Sequence, residues 1–594
     1  MTDIANPARA VCNPLDLSYR FQDVRFTGVV EGVKISEPHR SVHREAADPS
    51  VVLYRDRYYL FPSVSAGFWH SADLVTWTYQ ASTKLPALDY APDVREIDGA
   101  LYFSASRKQN SPFFRSVDPL ADDFEQVTPG SFPFWDPALF QDTDGSRYLY
   151  WGCDNRAPLY GVELDAAFAP VGEPASLIRA DVPAHGWEQV GEDYVLLEPA
   201  TDQERMARQF LSTDPYIEGA WMTKRDDTYY LQYAAPATEL NTYADGYYTS
   251  DSPLGPFQYS PDSPFSSKPG GFITGAGHGS TFRDKHGNWW HAATMRISVN
   301  HPWERRVAIF PAGFDDDGVL FCNQNFADYP HIVPDGAHDP WSPPQWMLLS
   351  LNAVATASSS ENGHGPELAV DEDVRTWWVG GRREPGESLR LDLGAHSTVH
   401  AIQLNLADHR VAETAPEESQ GELQRHTWRG IFTQHQAAEY CIEVSADGSE
   451  WAVVTDTRGI ESDRPHGFTI LEEPRRVRYV RVTSGRMPFN APFAISGLRV
   501  FGIGEGDRPA GVEAAAARVD RTTARIEWEQ SAGAIGYNVR YGRHPEKLYH
   551  SWLLYGRTGL DLRSLNAGVD YWVAVDAFNE AGITTGATVP IPGT

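Results

Sequence analysis

A polar turn followed by an aromatic strand recurs five times in the first 300 residues, and this repeat constrains the fold more than any other feature. The copies are DRYYLF from Asp56, DGALYF from Asp98, DGSRYLYWG from Asp144, DDTYYLQY from Asp226 and HGNWWHA from His286. Each copy is typical of a hairpin, with one strand before the turn and one after it. Five such hairpins, without a long helical pattern of apolar residues, predict an all-β fold that begins with a β-propeller of five blades.

Four of the five copies carry an ionisable residue eight positions before the turn. These residues are Asp48, Asp136, Glu218 and His278, whereas the second copy has Tyr90 there. In a propeller the first strand of each blade lines the central channel, so equivalent positions converge on one axis. Asp48 and Asp136 also precede proline, which is an ordinary turn signal. Because all four share one register, we expect three carboxylates and a histidine to meet in one pocket.

Composition limits the classes of function. The 594-residue chain has a formal net charge of −30, which argues against nucleic acids and anionic membranes as partners and is compatible with a neutral sugar. Its four cysteines are far apart, so the sequence suggests neither a zinc site nor a disulfide scaffold. It shows no apolar run of membrane-spanning length and no signal peptide. We expect a cytoplasmic protein, or a secreted one if a signal has been removed.

Three carboxylates in a sugar-sized pocket indicate glycoside hydrolysis. That reaction needs one carboxyl group to protonate the leaving oxygen and another to activate water or attack as a nucleophile. Glu218, among apolar and small residues, suits the acid, whose pKa must be raised by burial or a like charge. Asp48 suits the base, and Asp136 can raise the pKa of the acid and orient it. Three tryptophans are candidates either for stacking on sugar faces or for the core: Trp69, Trp135 and Trp221.

The motifs resemble glycoside hydrolase family 43 over about residues 40–325. The matching stretches are ADPS with Asp48, FWDPALFQDTDGSRYLYWG with Asp136 and YIEGAWMTKRDDTYYLQY with Glu218. The resemblance implies a five-bladed propeller that acts by inversion, with an Asp base, an Asp that modulates the acid's pKa, and a Glu acid. Inversion would place the carboxyl groups of Asp48 and Glu218 about 6.5–9.5 Å apart.

The same resemblance implies further site residues. His278, in GAGHGS, matches a family position at the channel centre that often holds a metal ion, commonly calcium, directly or through water. Arg305 resembles the substrate-binding arginine of the family, with Arg306 as the alternative. No organic cofactor is expected. The segment 185–215 separates the third and fourth copies, and we expect it to wall the pocket, which favours exo action on a terminal sugar.

The last third of the chain resembles two further modules. After a Pro-rich link, residues 346–504 contain AVDEDVRTWW, LRLDLG and VRYVRVT and are similar to discoidin-type domains of carbohydrate-binding module family 32. Those domains often bind calcium near the segment that matches 371–376, but here the usual DGD is DED, which makes calcium doubtful. This domain either binds sugar or serves only for packing. Residues 510–594 resemble a fibronectin type III domain, with Trp528 in its core and Tyr571 as a tyrosine corner.

The sequence therefore predicts a propeller at 1–335, a discoidin-like β-sandwich at 346–504 and a fibronectin type III-like β-sandwich at 510–594. The predicted function is an inverting, exo-acting glycoside hydrolase that removes terminal α-L-arabinofuranose or β-D-xylose from oligosaccharides or glycans. A β-galactosidase or β-galactofuranosidase of the same fold is the alternative. An alternative of another class is a non-catalytic carbohydrate-binding protein on a propeller scaffold, which a missing acid would support. The oligomeric state stays open.

Overall fold

The structure is a computed structural model that describes residues 9–30, 33–34, 37–107, 109–199, 213–424 and 427–593. Across these ranges the regular elements are β-strands and five single 3-10 turns, which confirms the all-β fold class. The turns are Pro119–Ala121, Gly186–Glu188, Pro366–Ala369, Val411–Glu413 and Pro488–Asn490. No helix in the described residues is long and apolar enough to cross a membrane.

Five antiparallel sheets follow one another along the first half of the chain, each with four strands in sequence order. Blade 1 consists of Ser50–Tyr54, Arg57–Phe61, Gly67–Ser71 and Thr78–Ala81. Blade 2 consists of Tyr90–Ile97, Ala100–Ser106, Phe113–Ser116 and Glu125–Thr128. Blade 3 consists of Ala138–Gln141, Arg147–Trp151, Leu159–Leu164 and Pro170–Ile178. Blade 4 consists of Glu218–Arg225, Thr228–Ala235, Ala244–Ser250 and Gln258–Tyr259, and the short strand Ser266–Ser267 also pairs with its third strand. Blade 5 consists of Thr274–Arg283, Trp289–Arg296, Arg305–Phe314 and Leu320–Cys322.

The five blades close into a ring. The first strand of each blade contacts the first strand of the next, and the first strand of blade 5 contacts that of blade 1. The strand Ala10–Val11 pairs with His331–Ile332 beyond blade 5, so the two ends of the ring meet. The structure thus confirms the predicted five-bladed propeller.

The aromatic strands of the sequence repeat are the second strands of the blades. Their large side chains are buried between sheets, as Tyr58, Tyr150 and Trp290 show with at most 1% of their surface exposed. β-Branched and aromatic residues suit such half-buried pleated surfaces. The first strands are left to line the channel.

One sheet outside the ring joins the N-terminal segment to the middle of the chain. Strands Arg20–Phe26 and His39–Glu45 pair with each other, and Arg20–Phe26 also pairs with Thr427–Ile431. Thr427–Ile431 pairs in turn with Gln420–Gln424. We call the last two strands the 420–431 hairpin. A separate two-stranded ribbon is formed by Val29–Val30 and Val33–Lys34. Strands Arg20–Phe26 and His39–Glu45 therefore lie beside the ring, although the sequence placed them within the propeller domain.

Eight strands between residues 347 and 504, here called the middle β-unit, form one sheet around their own core. Its strands are Met347–Leu348, Val354–Ala357, Trp378–Val379, Ser388–Leu406, Tyr440–Ser445, Ala452–Asp456, His466–Ser484 and Ala494–Gly504. The fully buried Trp378 lies in this core. The unit docks on the propeller through buried ion pairs, among them Arg44 with Asp408 and Asp463.

The C-terminal β-unit, residues 514–591, has two sheets. One contains Ala514–Arg518, Ala524–Trp528 and Gly559–Leu562; the other contains Gly536–Gly542, His550–Tyr555, Tyr571–Asn579, Gly582–Thr584 and Val589–Ile591. Trp528 is buried with 6% of its surface exposed. The hydroxyl of Tyr571 accepts the backbone N–H of Asn566 at 3.2 Å, which is the hydrogen bond of a tyrosine corner.

Candidate active site

Every blade has a residue in the left-handed backbone region, with φ between 45° and 62°, in or just before its first strand. These residues are Asp48 (φ 51°), Ala91 (φ 45°), Asp136 (φ 50°), Gly219 (φ 62°) and His278 (φ 46°). Asp, His and Gly adopt this region more readily than other residues, and such conformations cluster at functional sites. In blades 2 and 4 the left-handed residue directly follows Tyr90 and Glu218. The register found in the sequence is therefore a structural equivalence for Asp48, Asp136 and His278, and the left-handed residue is one position later in blades 2 and 4.

Three carboxylates and a histidine converge at the channel end, as the register predicts. His278 Nδ1 lies 3.5 Å from Asp48 Oδ1 and 3.7 Å from Asp136 Oδ2. One oxygen of Asp136 and one of Glu218 lie within 4.8 Å of each other and of Cys153 Sγ. Gly219 permits this approach, because a Cβ there would come within 2.8 Å of the His278 ring.

Asp48 is held by several donors and is 6% exposed. Ser63 Oγ donates to Asp48 Oδ2 at 2.6 Å, and Arg305 Nη1 donates to Oδ1 at 3.3 Å. The backbone N–H of Asp48 donates to Thr294 Oγ1 at 2.7 Å. The carboxylate therefore has a fixed orientation with one oxygen facing His278, which a general base needs.

Arg305 reaches the site, and Arg306 does not. Arg305 opens the third strand of blade 5 and joins Asp48 to Glu45, whose Oε1 accepts Arg305 Nε at 3.1 Å. Burial alone would lower the pKa of Arg305, but the charges of Asp48 and Glu45 outweigh it and raise that pKa. Arg306 points the other way and donates to His466 Nε2 at 2.8 Å. Of the two arginines considered from the sequence, only Arg305 contacts a converging carboxylate.

The surroundings of Asp136 perturb its carboxyl group. Ser106 Oγ donates to its Oδ1 at 3.1 Å and accepts its backbone N–H at 2.8 Å. Burial, together with the negative charges of Glu218 and Asp48, raises the pKa of Asp136 to about 7, against the lowering effect of His278. Asp136 can thus hold a proton near neutral pH, as a buried carboxyl beside like charges is expected to do.

Two donors orient Glu218. The hydroxyl of Tyr243 donates to Oε1, and the thiol of Cys153 donates to Oε2 at 3.0 Å. Burial and nearby carboxylates raise the pKa of the Tyr243 phenol and of the Cys153 thiol well above their ordinary values, so both stay protonated. Neither residue lies in the repeated register, so no sequence pattern predicted them. Cys153 lies just after the second strand of blade 3.

Asp245 holds the backbone of His278 in place. The backbone N–H of His278 donates to Asp245 Oδ1 at 2.7 Å, and His291 Nε2 lies 3.0 Å from Asp245 Oδ2. Burial opposes a charged imidazole, but the adjacent Asp48 and Asp136 carboxylates outweigh it and raise the pKa of His278. His278 therefore offers a cation to the two aspartates.

The resemblance placed a calcium ion near His278, but the surrounding donors do not fit calcium. Calcium prefers six to eight oxygen ligands in proteins. His278 supplies a nitrogen, and the carboxylates beside it already accept hydrogen bonds from Ser63, Arg305 and Ser106. Among the described residues, the group with metal-ligand spacing is Asp136, Cys153 and Glu218, and a thiol suits a softer ion such as zinc.

One residue of the segment with the doubtful calcium position, in the middle β-unit, has a structural role. Glu372, the central residue of DED, is 6% exposed. Its Oε2 accepts Arg499 Nη2 at 2.8 Å. This glutamate therefore pairs with an arginine of its own unit, and that arginine also donates through Nη1 to the Asp328 carbonyl at 2.8 Å.

Two of the three candidate tryptophans are structural. Trp69 is fully buried in a core cluster and packs edge-on against Tyr79. Trp221 is 6% exposed, donates through Nε1 to the Thr281 carbonyl at 3.1 Å, and has the Arg95 guanidinium over its ring. The expectation that they stack on sugar is wrong, because neither ring presents a free face. Trp135, directly before Asp136, is half-buried and stays a candidate.

The segment expected to wall the pocket is described in part. Its residues 200–212 lie outside the described residues. Glu188 is fully buried and accepts the backbone N–H of Asp181 at 2.6 Å, so it holds the segment itself. Glu192 forms an ion pair with Arg296. Both acids thus have structural partners.

Comparisons with known proteins agree with this geometry. Residues 41–320 match the family model of glycosyl hydrolases family 43. The chain is 26% identical over 274 residues to "Beta-D-galactofuranosidase xynD" of Aspergillus niger, which covers 40% of this chain and 69% of the relative. It is 28% identical over 170 residues to "Xylosidase/arabinosidase" of Bacteroides ovatus, covering 26% and 46%. It is 28% identical over 260 residues to "Xylosidase/arabinosidase 43A" of Humicola insolens, covering 39% and 73%. The propeller region of this chain is thus similar to glycosyl hydrolases family 43, and the chain is a glycoside hydrolase.

Proposed function

We propose that the chain is an inverting, exo-acting glycoside hydrolase that removes terminal α-L-arabinofuranose or β-D-xylose from oligosaccharides or glycans. The observation that carries this proposal is the convergence of Asp48, Asp136 and Glu218 around His278. Two relatives have names that include both xylosidase and arabinosidase, which supports these two sugars.

In this mechanism Asp48 is the general base and Glu218 the general acid. Asp48 takes a proton from a water molecule, whose oxygen attacks the anomeric carbon from the face opposite the leaving group. Glu218 gives its proton to the glycosidic oxygen as that bond breaks. The hydrogen bonds from Ser63 and Arg305 hold the base, and those from Tyr243 and Cys153 hold the acid.

Asp136 and Glu218 act as a coupled pair in this proposal. Like charges this close repel each other, so the negative charge of Glu218 favours the protonated form of Asp136. Burial and the neighbouring charges raise the pKa of Asp136 to about 7, which keeps that proton available near neutral pH. In this proposal Asp136 is a positioning residue that orients Glu218 and modulates its protonation.

Exo action is supported by how enclosed the carboxylates are. Asp48 and Asp136 are each 6% exposed, as expected at the closed end of a pocket that takes a terminal sugar. An open groove that binds the middle of a polymer would leave its catalytic groups more accessible.

The alternative sugar within this fold is galactofuranose, or galactose. One relative is named as a β-D-galactofuranosidase, and arabinofuranose and galactofuranose share the five-membered ring. The non-catalytic sugar-binding alternative loses support, because all three acids are present and converge.

The two C-terminal units are proposed to be a discoidin-type domain and a fibronectin type III-type domain. The tyrosine-corner hydrogen bond of Tyr571 and the buried Trp528 support the second assignment. The motifs of residues 346–504 and their own core around Trp378 support the first.

Replacing Glu218 or Asp48 and varying the leaving group of the substrate tests the two catalytic roles. Glu218→Gln removes the proton donor, so kcat on glycosides with poor leaving groups should fall by about 10²–10⁴-fold, and by much less on activated aryl glycosides. Asp48→Asn should lower kcat on both classes alike. Asp226→Asn, at an exposed turn of blade 4, is the control. Equal losses of Glu218→Gln on both classes would contradict its role as the acid.

A further inference from the structure

Arg429 comes from the middle of the sequence, but its side chain contacts Glu45 and the blade 2 residue Tyr90. Its strand Thr427–Ile431 is not part of the eight-stranded sheet and pairs with Arg20–Phe26. The residue is 2% exposed. Its Nη2 forms an ion pair with Glu45 Oε2, and its guanidinium lies over the Tyr90 ring, 5.0 Å from the centroid.

Glu45 connects Arg429 to the proposed base. Glu45 is fully buried, and its other oxygen, Oε1, accepts Arg305 Nε at 3.1 Å and Nη2 at 2.5 Å. Arg305 in turn donates through Nη1 to Asp48 Oδ1 at 3.3 Å. The four side chains alternate in charge from the hairpin to the base. Without Arg429, Glu45 would be a buried anion with Arg305 as its main cation, and it would compete with Asp48 for that guanidinium.

Tyr90 gives Arg429 a second contact with the channel. Tyr90 occupies the register position that holds Asp48, Asp136 and Glu218 in other blades. Burial raises the pKa of Tyr90 to about 12, although the Arg429 charge lowers it, so the ring is neutral. Arg429 packs on this ring and thereby supports blade 2 as well as blade 5.

The Arg429 guanidinium also carries buried donors with no partner. Within the described residues, Nε and Nη1 are buried and make no hydrogen bond. A buried charged group with unmet donors is costly for folding. A contact needed only to dock two units would be expected to satisfy them, as Arg499 does with Glu372 and the Asp328 carbonyl.

We propose that Arg429 is a positioning residue of the glycosidase reaction and that the 420–431 hairpin completes the catalytic pocket of the propeller. Arg429 neutralises one face of Glu45 so that Arg305 stays on Asp48, the base. This inference rests on the proposed function and deepens it. It also gives the middle β-unit a part in catalysis, beyond sugar binding or packing.

The test compares Arg429→Met and Arg429→Lys with Arg499→Lys in the full chain, using 4-nitrophenyl α-L-arabinofuranoside, β-D-xyloside and β-D-galactofuranoside. Arg499 is the matched control, because it is equally buried and joins the same two units away from the carboxylates. Misplacing a catalytic group by about 1 Å costs about 10²-fold. We expect kcat of Arg429→Met to fall about 10- to 100-fold with KM within about threefold, and kcat of Arg499→Lys to stay close to that of wild type.

The pH profile separates positioning from packing. Loss of the Arg429 cation weakens the hold of Arg305 on Asp48. The ionised form of the base Asp48 then has less positive charge to stabilise it. The acid limb of kcat/KM for Arg429→Met should therefore move to higher pH, while Arg429→Lys, which keeps the charge, should leave it near the wild-type position. The double variant Arg429→Met/Glu45→Gln should recover part of kcat, since the competing buried anion is gone.

The outcomes distinguish the two proposals. If wild type is active and Arg429→Met behaves like Arg499→Lys, with an unmoved acid limb and no rescue by Glu45→Gln, the role of Arg429 is overturned and the proposed function stands. If wild type releases sugar from none of the three glycosides, the proposed function for these sugars is overturned, and the role of Arg429 in it falls too.

Discussion

Replacing Asp136 with asparagine should make the protein more stable as it becomes less active. Burial and the nearby charges raise the pKa of Asp136 from 3.8 to about 7. Its folded pKa therefore exceeds its unfolded pKa, and wild type loses free energy of unfolding as pH rises between these two values. A shift of this size makes that loss about 3 kcal/mol between pH 5 and pH 8. Asparagine does not titrate, keeps the Ser106 hydrogen bond and tolerates the left-handed backbone.

The assay is thermal unfolding of wild type and Asp136→Asn from pH 5 to pH 8, with Asp226→Asn as an exposed control. The gain in Tm of Asp136→Asn should increase with pH, by roughly 5 °C over this range, while kcat falls. A gain that stays constant or shrinks as pH rises would refute the reasoning, because the Asp136 carboxyl would then not be held protonated by its surroundings. The control should show no such trend.

Four further predictions concern two residues that contact Glu218 and two of the tryptophans. Tyr243→Phe removes a donor to the Glu218 carboxylate, so the alkaline limb of the kcat/KM profile should move to higher pH; an unchanged limb would count against this hydrogen bond. Trp69→Ala should lower the free energy of unfolding by about 3–5 kcal/mol and leave KM unchanged, because the ring is core. Trp135→Ala should raise KM with little change in Tm, and the reverse pattern for this pair would contradict their assignments. Zn²⁺ should inhibit wild type more strongly than Cys153→Ser, measured as the inhibition constant, because the thiol completes a cluster of metal-ligand spacing.

The sequence was sufficient to predict the ring of blades and the converging carboxylates. Both follow from a turn-and-strand motif that recurs five times, because each turn lies eight residues after the position where the first strand of its blade meets the channel. Asp48, Asp136 and His278 share one offset and one left-handed conformation, so local register alone predicted their meeting.

Contacts that depend on two distant segments could not be predicted in this way. Trp69 and Trp135 have similar local sequence settings, and only the packing of neighbouring blades decides that Trp69 is core. Arg429 lies 384 positions from Glu45, and no pattern in the 420–431 hairpin indicates that it leaves its own unit. Cys153 and Tyr243 lie outside the repeated offset, so their convergence on the acid depends on strand curvature and blade spacing.

The proposed inverting mechanism, with Asp48 as base and Glu218 as acid, is tested most directly by the configuration of the first product. Wild type would be incubated with aryl α-L-arabinofuranoside and β-D-xyloside, and the released sugar followed by proton NMR before mutarotation. Inversion predicts that β-L-arabinofuranose or α-D-xylose appears first. Initial release of the sugar with its original configuration would contradict the mechanism.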